Sequence, residues 1–341
     1  MLARLLFVLL LVANVPGNLN AAEPIFPADA KLEKLHEGFG LSEGVAVAHD
    51  GQVYFSDITF SHQVRNARGE AHAGHIWRYD PTTGRTTVFR SPSGKSNGIK
   101  FDAAGDMIVC EGADYGGRRV TRTKMKTGLS YVLAGLFEGQ AFNSPNDLSL
   151  DERGRIYFTD PRYLGREPLE QPVMAVYRID TDGSIKRIIT DASKPNGVCV
   201  SPDQKTLYIG VNDNGATAFD RLAGPDGKLP PLTPGRMALL AYDLHADGTA
   251  KFRQTLVDFA PQHGPDGLTC DADGNLYVAV RDETRPGIRV YSPTGEELAY
   301  LKTELPTNVA FARGDSSHLL YLTAGSSLYR IATTRRGYHP K

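Results

Sequence analysis

Cysteine, tryptophan and methionine are all scarce in this chain of 341 residues, which holds three, one and five of them. The cysteines, Cys110, Cys199 and Cys270, are odd in number, and each lies in an apolar, strand-like stretch. We therefore expect buried thiols rather than a disulfide framework. The chain has no Cys-x-x-Cys motif and no cysteine–histidine cluster, which argues against a structural zinc site.

The chain also lacks a surplus of either charge and a hydrophobic run long enough to cross a membrane. Its net charge is −1, so no overall field favours nucleic acid or an anionic membrane as a partner. The apolar run 5–13 has about half of the ~20 residues that span a bilayer, and it follows Arg4. That order is typical of a secretory signal. We expect residues 1–22 to be removed, which leaves 23–341 as a single domain in the periplasm or outside the cell, with no membrane partner.

Glycine and proline are plentiful, with 35 and 21 copies, and they separate short strands that repeat along the chain. The repeated strand occurs as GQVYFSD from Gly51, GDMIVCE from Gly105, GRIYFTD from Gly154, KTLYIGV from Lys205, GNLYVAV from Gly274 and HLLYLTA from His318. Further strands are indicated between the copies by HIWRYD from His75, AVYRID from Ala175, LLAYDL from Leu239 and GIRVYS from Gly287. Such units bury their faces only against neighbours, so the sequence predicts an all-β fold, a six-bladed β-propeller with four-stranded blades.

A second strand precedes each copy, and its start carries a polar residue. The six polar residues are Glu43, Asn97, Asn146, Asn196, Asp266 and Asn308. Each lies ten or eleven residues before the apolar start of the following strand. Because the first strand of every propeller blade lines the central channel, we expect these side chains to form a ring at one end of it.

The ring has a simpler alternative, since Asn and Asp before Gly are common turn residues. Glu43 has no such turn preference, and the other positions repeat around one axis. Carboxylate and carboxamide oxygens suit a hard cation: Glu43 and Asp266 can neutralise it, and Asn146 and Asn196 add neutral oxygens. The ring has no His or Cys, which disfavours a dedicated zinc or copper site. The sequence predicts one divalent cation, with Ca²⁺ favoured and Zn²⁺, Mg²⁺ or Mn²⁺ as alternatives.

The second strand of each hairpin returns to the same end of the channel. The residues that end these second strands could support the ring or contact the substrate, or they could simply be solvated strand ends. They are Asp57, Glu111, Asp160, Asn212 and Arg281. We predict that Asn97, Asn146 and Asp160 contact the substrate.

Six segments in a fixed order resemble the SMP-30/gluconolactonase/LRE-like family of six-bladed propellers, in a pattern most similar to its bacterial gluconolactonases. They are LSEGVAVAHDGQVYFSDI, SNGIKFDAAGDMIVCEG, FNSPNDLSLDERGRIYFTDPRY, KPNGVCVSPDQKTLYIGVND, GPDGLTCDADGNLYVAV and PTNVAFARGDSSHLLYLTA. The resemblance runs from about Leu41 to Ile331, nearly the whole chain after the signal.

The resemblance implies one divalent cation held by one Glu, two Asn and one Asp. Glu43 in SEGV and Asn196 in KPNGV are similar to two of those ligands, and Asn146 in SPNDL to a residue that contacts metal, substrate or both. Asp266 in GPDGL resembles the Asp that binds the metal and acts as the catalytic base. The implied activity is the opening of a lactone ring, such as that of glucono-1,5-lactone. His263 is either a proton relay or an ordinary loop histidine.

Some features depart from the family pattern and leave the substrate open. Ser144 stands where some members that bind sugar lactones have Arg, and the segment CEGADYGGRRV is longer than in bacterial gluconolactonases. We expect the loops PRYLGREPLEQP, after Asp160, and TAFDRLAGPDGKLPPLTPG, beyond Gly215, to overhang the channel. Two alternatives remain: a non-catalytic ligand-binding propeller with a structural cation, and another esterase or phosphoesterase on the same metal site.

Overall fold

The computed structural model describes residues 23–218 and 223–341. These residues form six four-stranded antiparallel sheets, and each sheet follows the previous one along the chain. The one helix among them is a short 3-10 turn, Gly314–Ser316, so no described helix has the length and apolar character needed to span a bilayer. The predicted six-bladed β-propeller is confirmed. The predicted signal, residues 1–22, lies outside the described residues.

Blades 1 to 5 each consist of four consecutive strands, which follow one another from the channel outwards. Blade 1 comprises β2 (Ser42–Val47), β3 (Val53–Asp57), β4 (His75–Asp80) and β5 (Arg85–Arg90). Blade 2 comprises β6 (Ser96–Phe101), β7 (Met107–Glu111), β8 (Arg119–Thr123) and β9 (Ser130–Ala134). A two-stranded hairpin follows, formed by β10 (Leu136–Phe137) and β11 (Gln140–Ala141).

The next three blades repeat this order. Blade 3 comprises β12 (Leu148–Leu150), β13 (Ile156–Asp160), β14 (Ala175–Ile179) and β15 (Ile185–Ile189). Blade 4 comprises β16 (Pro195–Val200), β17 (Thr206–Asn212), β18 (Met237–Leu244) and β19 (Ala250–Asp258). Blade 5 comprises β20 (Pro265–Cys270), β21 (Leu276–Val280), β22 (Gly287–Tyr291) and β23 (Glu297–Lys302).

Blade 6 is built from both ends of the chain. It comprises β24 (Pro306–Phe311), β25 (Leu319–Ala324), β26 (Ser327–Ala332) and, outermost, β1 (Glu33–Glu37). β1 pairs antiparallel with β26, from Glu33 opposite Arg330 to Glu37 opposite Ser327. This pairing joins the start of the chain to its last sheet, and it thereby closes the ring.

The core consists of six apolar clusters, one at each interface between neighbouring blades. Between blades 2 and 3, for example, Phe142, Phe158 and Tyr177 lie with their ring centroids 5.1 to 5.4 Å apart. Second strands such as β3, β7 and β13 are buried on both faces, which explains their nearly continuous apolar runs. All three cysteines are buried free thiols, as predicted.

The innermost strands approach one another so closely that some positions have no room for a side chain. At Gly44, a Cβ would lie 1.8 Å from the carbonyl oxygen of Asn97 in the next blade, and φ is +55°. At Gly197, a Cβ would lie 2.3 Å from the carbonyl oxygen of Asp266. Each of these glycines follows a ring residue, so it allows the polar side chains of neighbouring blades to approach one another.

The C-terminal tail covers the opposite end of the channel. Tyr338 and His339 line a small cavity of about 60 Å³ there, together with residues of the innermost strands. The amide of Tyr338 donates to the carbonyl of Cys270 at 3.1 Å, and Nε2 of His339 donates to the carbonyl of Ala312 at 2.9 Å. Burial, helped by the nearby cationic Arg313, lowers the pKa of His339 to about 4. His339 therefore binds in its neutral form.

Candidate functional site

Five of the six predicted ring residues line one cavity of about 260 Å³ at the mouth of the channel. They are Glu43, Asn97, Asn146, Asn196 and Asp266. Each lies at or just before the start of the innermost strand of its blade, and each is at most 8% exposed. The common register of the hairpins thus brings their side chains to one height on the axis.

Asn308 does not take the sixth place, so that prediction is wrong. In blade 6, Val309 lies opposite Leu322, just as Leu148 lies opposite Phe158 in blade 3. Asn308 therefore corresponds to the residue after the ring position, one step further along the strand.

Hydrogen bonds confirm this register. Oδ1 of Asn308 accepts from the amide of the next residue at 2.8 Å, and Oδ1 of Asp147 does the same in blade 3. The ring position of blade 6 is occupied by Thr307, which is fully buried and donates its hydroxyl to the carbonyl of Ser42 at 2.7 Å. Its side chain is thus engaged with blade 1, and the polar ring has a gap at blade 6.

The two ring carboxylates are buried close to each other. Burial, with the neighbouring Asp266 carboxylate as the second cause, raises the pKa of Glu43 well above its usual value. Burial also raises the pKa of Asp266 to about 6, although Arg281 opposes the shift from 3.4 Å. Asp147, below the ring, is fully buried and adds to the negative charge at Glu43. The described residues thus concentrate negative charge here with one guanidinium beside it.

Several acceptor atoms at this place are buried without a hydrogen-bond partner among the described residues. They are Oδ1 of Asn97, Oδ1 of Asn196 and Oδ2 of Asp147. Asn196 is oriented by its other end, because its Nδ2 donates to the hydroxyl of Tyr163 at 3.1 Å. Buried acceptors without donors are costly unless something positive satisfies them.

The donor set fits a hard cation. Glu43 and Asp266 supply negative charge, and the carboxamide oxygens of Asn146 and Asn196 supply neutral ligands. In the part of the chain that the structure describes, no group of three His, Cys, Asp or Glu side chains is arranged to hold a metal. A cation here would therefore depend on asparagine oxygens as much as on carboxylates.

Asp160 does not lie where we expected a substrate contact. It is fully buried and does not line the cavity, because its two carboxylate oxygens accept the amides of Asn143 and Ser144 at 2.8 and 2.6 Å. Burial raises its pKa to about 7. Asp160 therefore holds in place the segment that leads to Asn146, and it does not reach a molecule bound in the cavity.

Of the other four residues that end second strands, two hold neighbouring protein groups and two line the cavity. Asp57 and Glu111 are buried and hold neighbouring protein groups: Asp57 accepts the amide of Gly40 at 2.9 Å, and Glu111 binds Arg119 at 2.7 Å. Asn212 and Arg281 line the cavity, as does His263, whose Nδ1 lies 3.4 Å from Oδ1 of Asn212.

The loop after Asp160 does reach over the cavity, as predicted, and brings Tyr163 and Leu164 into its wall. Glu167 of the same loop accepts the amides of Asp114 and Tyr115 at 3.1 and 2.6 Å. The long loops of blades 2 and 3 thus hold each other over the mouth.

The second predicted overhang contributes less. Of its described residues, 223–235 are exposed and 217–218 are partly exposed, and none adds a side chain to the cavity wall. The remainder of the segment that we expected to overhang includes 219–222, which are outside the described residues.

Sequence reasoning missed several residues of the wall. Tyr163, which orients Asn196 in the structure, could have been predicted from the sequence because it follows a strand that ends at the ring. Lys95 and Asp114 lie in irregular backbone with φ of 57° and 64°, and nothing in their sequence pattern marks them. The partly exposed apolar members of the wall also come from loops, and they are Leu41, Ile58, Phe60, Leu164 and Leu305.

Comparison with known proteins gives a consistent result. The gluconolactonase of Zymomonas mobilis is 29% identical over 264 residues, which are 73% of this chain and 65% of that relative, so this chain spans less than two thirds of the relative's length. The solved structure of a gluconolactonase from Xanthomonas campestris is 25% identical and superposes with a TM-score of 0.71, covering 91% of each chain. A calcium-binding protein, regucalcin, from Agrobacterium tumefaciens has a TM-score of 0.66 over 93% of this chain and 98% of its own, and its 18% identity indicates a shared fold.

The family match covers most of the chain. Residues 41–223 and 233–326 match the SMP-30/Gluconolactonase/LRE-like region. These ranges contain all six blades apart from the outermost strands of blade 6, together with every polar residue of the ring. The chain belongs to the SMP-30/gluconolactonase/LRE-like family.

Proposed function

We propose that this protein opens lactone rings by hydrolysis, using one divalent cation held by Glu43, Asn146, Asn196 and Asp266. The observation that carries the proposal is the convergence of two buried carboxylates and unpartnered carboxamide oxygens on one open cavity. A cation would satisfy these groups together, and the cavity leaves space for a small molecule beside it.

The relatives support the reaction class. The Zymomonas mobilis and Xanthomonas campestris proteins are both described as gluconolactonases, and the regucalcin is described as calcium-binding. We therefore take Ca²⁺ as the first ion to test and glucono-1,5-lactone as the first substrate. Zn²⁺, Mg²⁺ and Mn²⁺ are the alternative ions.

A divalent cation, when bound, supplies polarisation of the lactone carbonyl and stabilisation of the negative charge that develops on its oxygen. Asp266 accepts a proton from the attacking water and returns it to the alkoxide that leaves when the ring opens. Arg281, at 3.4 Å from Oδ2 of Asp266, keeps this carboxylate oriented and partly neutralised. Nδ2 of Asn196 donates to the hydroxyl of Tyr163, and this bond keeps Oδ1 of Asn196 directed away from that hydroxyl.

Acid release from a panel of sugar and non-sugar lactones, with and without chelator, tests the proposal. We expect wild type to open at least one lactone, chelation to abolish the activity, and added Ca²⁺ to restore it. Asp266→Asn should lower kcat by about 10² to 10⁴, the usual contribution of a general base. Asp182→Asn, an exposed residue on an outer turn, is the matched control and should retain full activity.

The same panel separates the alternatives. A protein that opens no lactone but binds the cation in calorimetry is a ligand-binding propeller with a structural ion. One that cleaves aryl esters or phosphoesters but no lactone is a different hydrolase on the same site. Full activity in the chelated protein would refute the cation-dependent mechanism.

We further propose that the protein acts in the periplasm or outside the cell, because its first residues have the pattern of a secretory signal. Expression of the full chain and of a version beginning at residue 23, followed by cell fractionation, tests this. Export of both forms to the same extent would contradict it.

A further inference from the structure

The cavity has an apolar side that the proposed chemistry does not use. Leu41, Ile58 and Phe60 come from blade 1, Leu305 precedes the innermost strand of blade 6, and Leu164 comes from the loop of blade 3. All five are partly exposed, and they face the same cavity as the ring. Apolar side chains left partly exposed in a concave site gain free energy when an apolar ligand covers them.

The apolar side coincides with the gap in the polar ring. Thr307 occupies the ring position of blade 6 and turns its hydroxyl to Ser42 of blade 1. Leu305 is the one described residue of the segment around blade 6, 303–332, that lines the cavity. Leu41 precedes the innermost strand of blade 1, which is the next blade around the ring. One sector of the wall, at blades 6 and 1, is therefore largely apolar apart from Glu43.

Many polar groups in the rest of the wall are already engaged by the protein. Nζ of Lys95 donates to both oxygens of Thr59 and to the carbonyl of His72, which accounts for its three hydrogens. Both carboxylate oxygens of Asp114 accept from Ser61, at 2.5 and 2.7 Å.

Two more polar side chains are partly engaged. The hydroxyl of Ser144 accepts the amide of Ala113 at 3.0 Å. Oδ1 of Asn214 accepts from Nζ of Lys194 at 3.1 Å. Outside the ring, the polar side chains that remain for the hydroxyls of a sugar lactone include Asn212, His263 and Glu283, in or beside blades 4 and 5, whereas blades 6 and 1 add none. A hydroxyl held against blades 6 and 1 would therefore lack a partner, which weakens binding.

We infer that the preferred substrate is a lactone with an apolar substituent, an alkyl chain or an aryl group, which lies on Leu41, Ile58, Phe60, Leu164 and Leu305 while the ring carbonyl faces the carboxylates. This inference rests on the proposed lactone hydrolysis. The choice of substrate then depends on four loops. Two of them precede β24 and β2, the innermost strands of blades 6 and 1, and the other two follow β3 and β13.

Two lactones that differ only in a pentyl chain test the inference. We expect kcat/KM for δ-decalactone to exceed that for δ-valerolactone by at least about tenfold, since each buried methylene contributes about a fourfold preference. The Leu305→Asn variant should reduce this ratio by about fourfold or more, because it places a polar group on the apolar side. Leu298→Asn, on the outer strand of blade 5 and 42% exposed, should leave the ratio and the activity unchanged.

The outcomes are distinct. Equal kcat/KM for the two lactones, or a preference for glucono-1,5-lactone over δ-decalactone, overturns the inference and leaves the proposed function intact. If Leu305→Asn does not fold, Leu164→Asn in the mouth loop changes the same surface from another blade. If wild type opens no lactone, the proposed function fails. Calorimetry with the two corresponding lactams then decides whether the apolar side binds a pentyl chain: tighter binding of the pentyl lactam supports it, and equal binding overturns it.

Discussion

Replacing Gly44 by alanine tests whether the close contact between the innermost strands holds the ring together. Gly44 follows Glu43 in blade 1, and its added Cβ would lie 1.8 Å from the carbonyl oxygen of Asn97. That carbonyl has no freedom to retreat, since it also accepts the hydroxyl of Ser56 at 2.7 Å. The variant must therefore move the backbone of blade 2, or of blade 1, at the ring itself.

The expected loss of unfolding free energy has two parts. Alanine at φ +55° costs about 1 to 2 kcal/mol from the left-handed backbone alone. The clash with Asn97 adds about 1 to 3 kcal/mol, as overpacking in a dense core does. Gly51 separates the two parts, because its φ is +82° and a Cβ there would meet nothing within 4 Å. Gly51→Ala should show the backbone part only.

Urea unfolding of wild type, Gly44→Ala and Gly51→Ala measures both losses, with equal slopes required for the comparison. We expect Gly44→Ala to lose about 2 kcal/mol more than Gly51→Ala, and to bind Ca²⁺ more weakly because Glu43 and Asn97 are displaced. Equal losses in the two variants would refute the argument, since the innermost strands would then be free to separate without cost.

Three further predictions concern the site and the tail. Ca²⁺ at about a hundred times its Kd should raise the unfolding free energy of wild type by about 2.7 kcal/mol, and Glu43→Gln should lose most of that gain; thermal unfolding with and without chelator measures it. Tyr163→Phe removes the hydroxyl that accepts from Asn196 Nδ2, so it should lower kcat/KM about fivefold to tenfold with little change in the unfolding midpoint. An unchanged kcat/KM would contradict a positioning role for Tyr163. His339 has a folded pKa of about 4 against about 6.5 unfolded, so protonation favours unfolding and stability falls as pH drops below 6.5. Between about pH 7 and pH 5 the loss is about 2 kcal/mol, and in His339→Gln this part of the pH dependence of urea unfolding should disappear.

The blades were predictable because each carries the same pair of strands with a polar residue at the start of the first. Glu43, Asn97, Asn146, Asn196 and Asp266 follow that rule, and the structure brings all five to one cavity. The repeat works as a predictor since equivalent strands in a closed ring must adopt equivalent positions.

Blade 6 shows why residue counting fails locally. The connection between β24 and β25 contains the 3-10 turn Gly314–Ser316, which lengthens it. The added residues made Asn308 look equivalent to Asn196 by distance along the chain, whereas strand pairing makes Thr307 the ring residue. Register depends on hydrogen bonds between strands, and a count along one strand does not contain them.

The wall of the cavity was less accessible to prediction for another reason. Leu305, Leu164 and Lys95 lie in connections, where no periodicity indicates which way a side chain points. Asp160 was misplaced because a strand-end carboxylate is equally suited to binding a ligand and to accepting backbone amides, as it does from Asn143 and Ser144. Only the path of the loop decides between them.

The seam between β1 and β26 also determines how the propeller responds to mechanical load. The two strands are antiparallel, and Glu33, at the start of β1, lies beside Arg330, near the end of β26, with a salt bridge of 2.6 Å. Once the contacts of Pro24 and Ile25 with Thr334 and the hydrogen bond of Tyr338 to Cys270 have broken, a force that pulls the two strands apart from this end acts on one pair at a time, beginning with that salt bridge, instead of shearing all pairs together. The two strands of the seam should therefore separate pair by pair at low force, and blade 6 should lose its outer strand while the other five sheets remain intact.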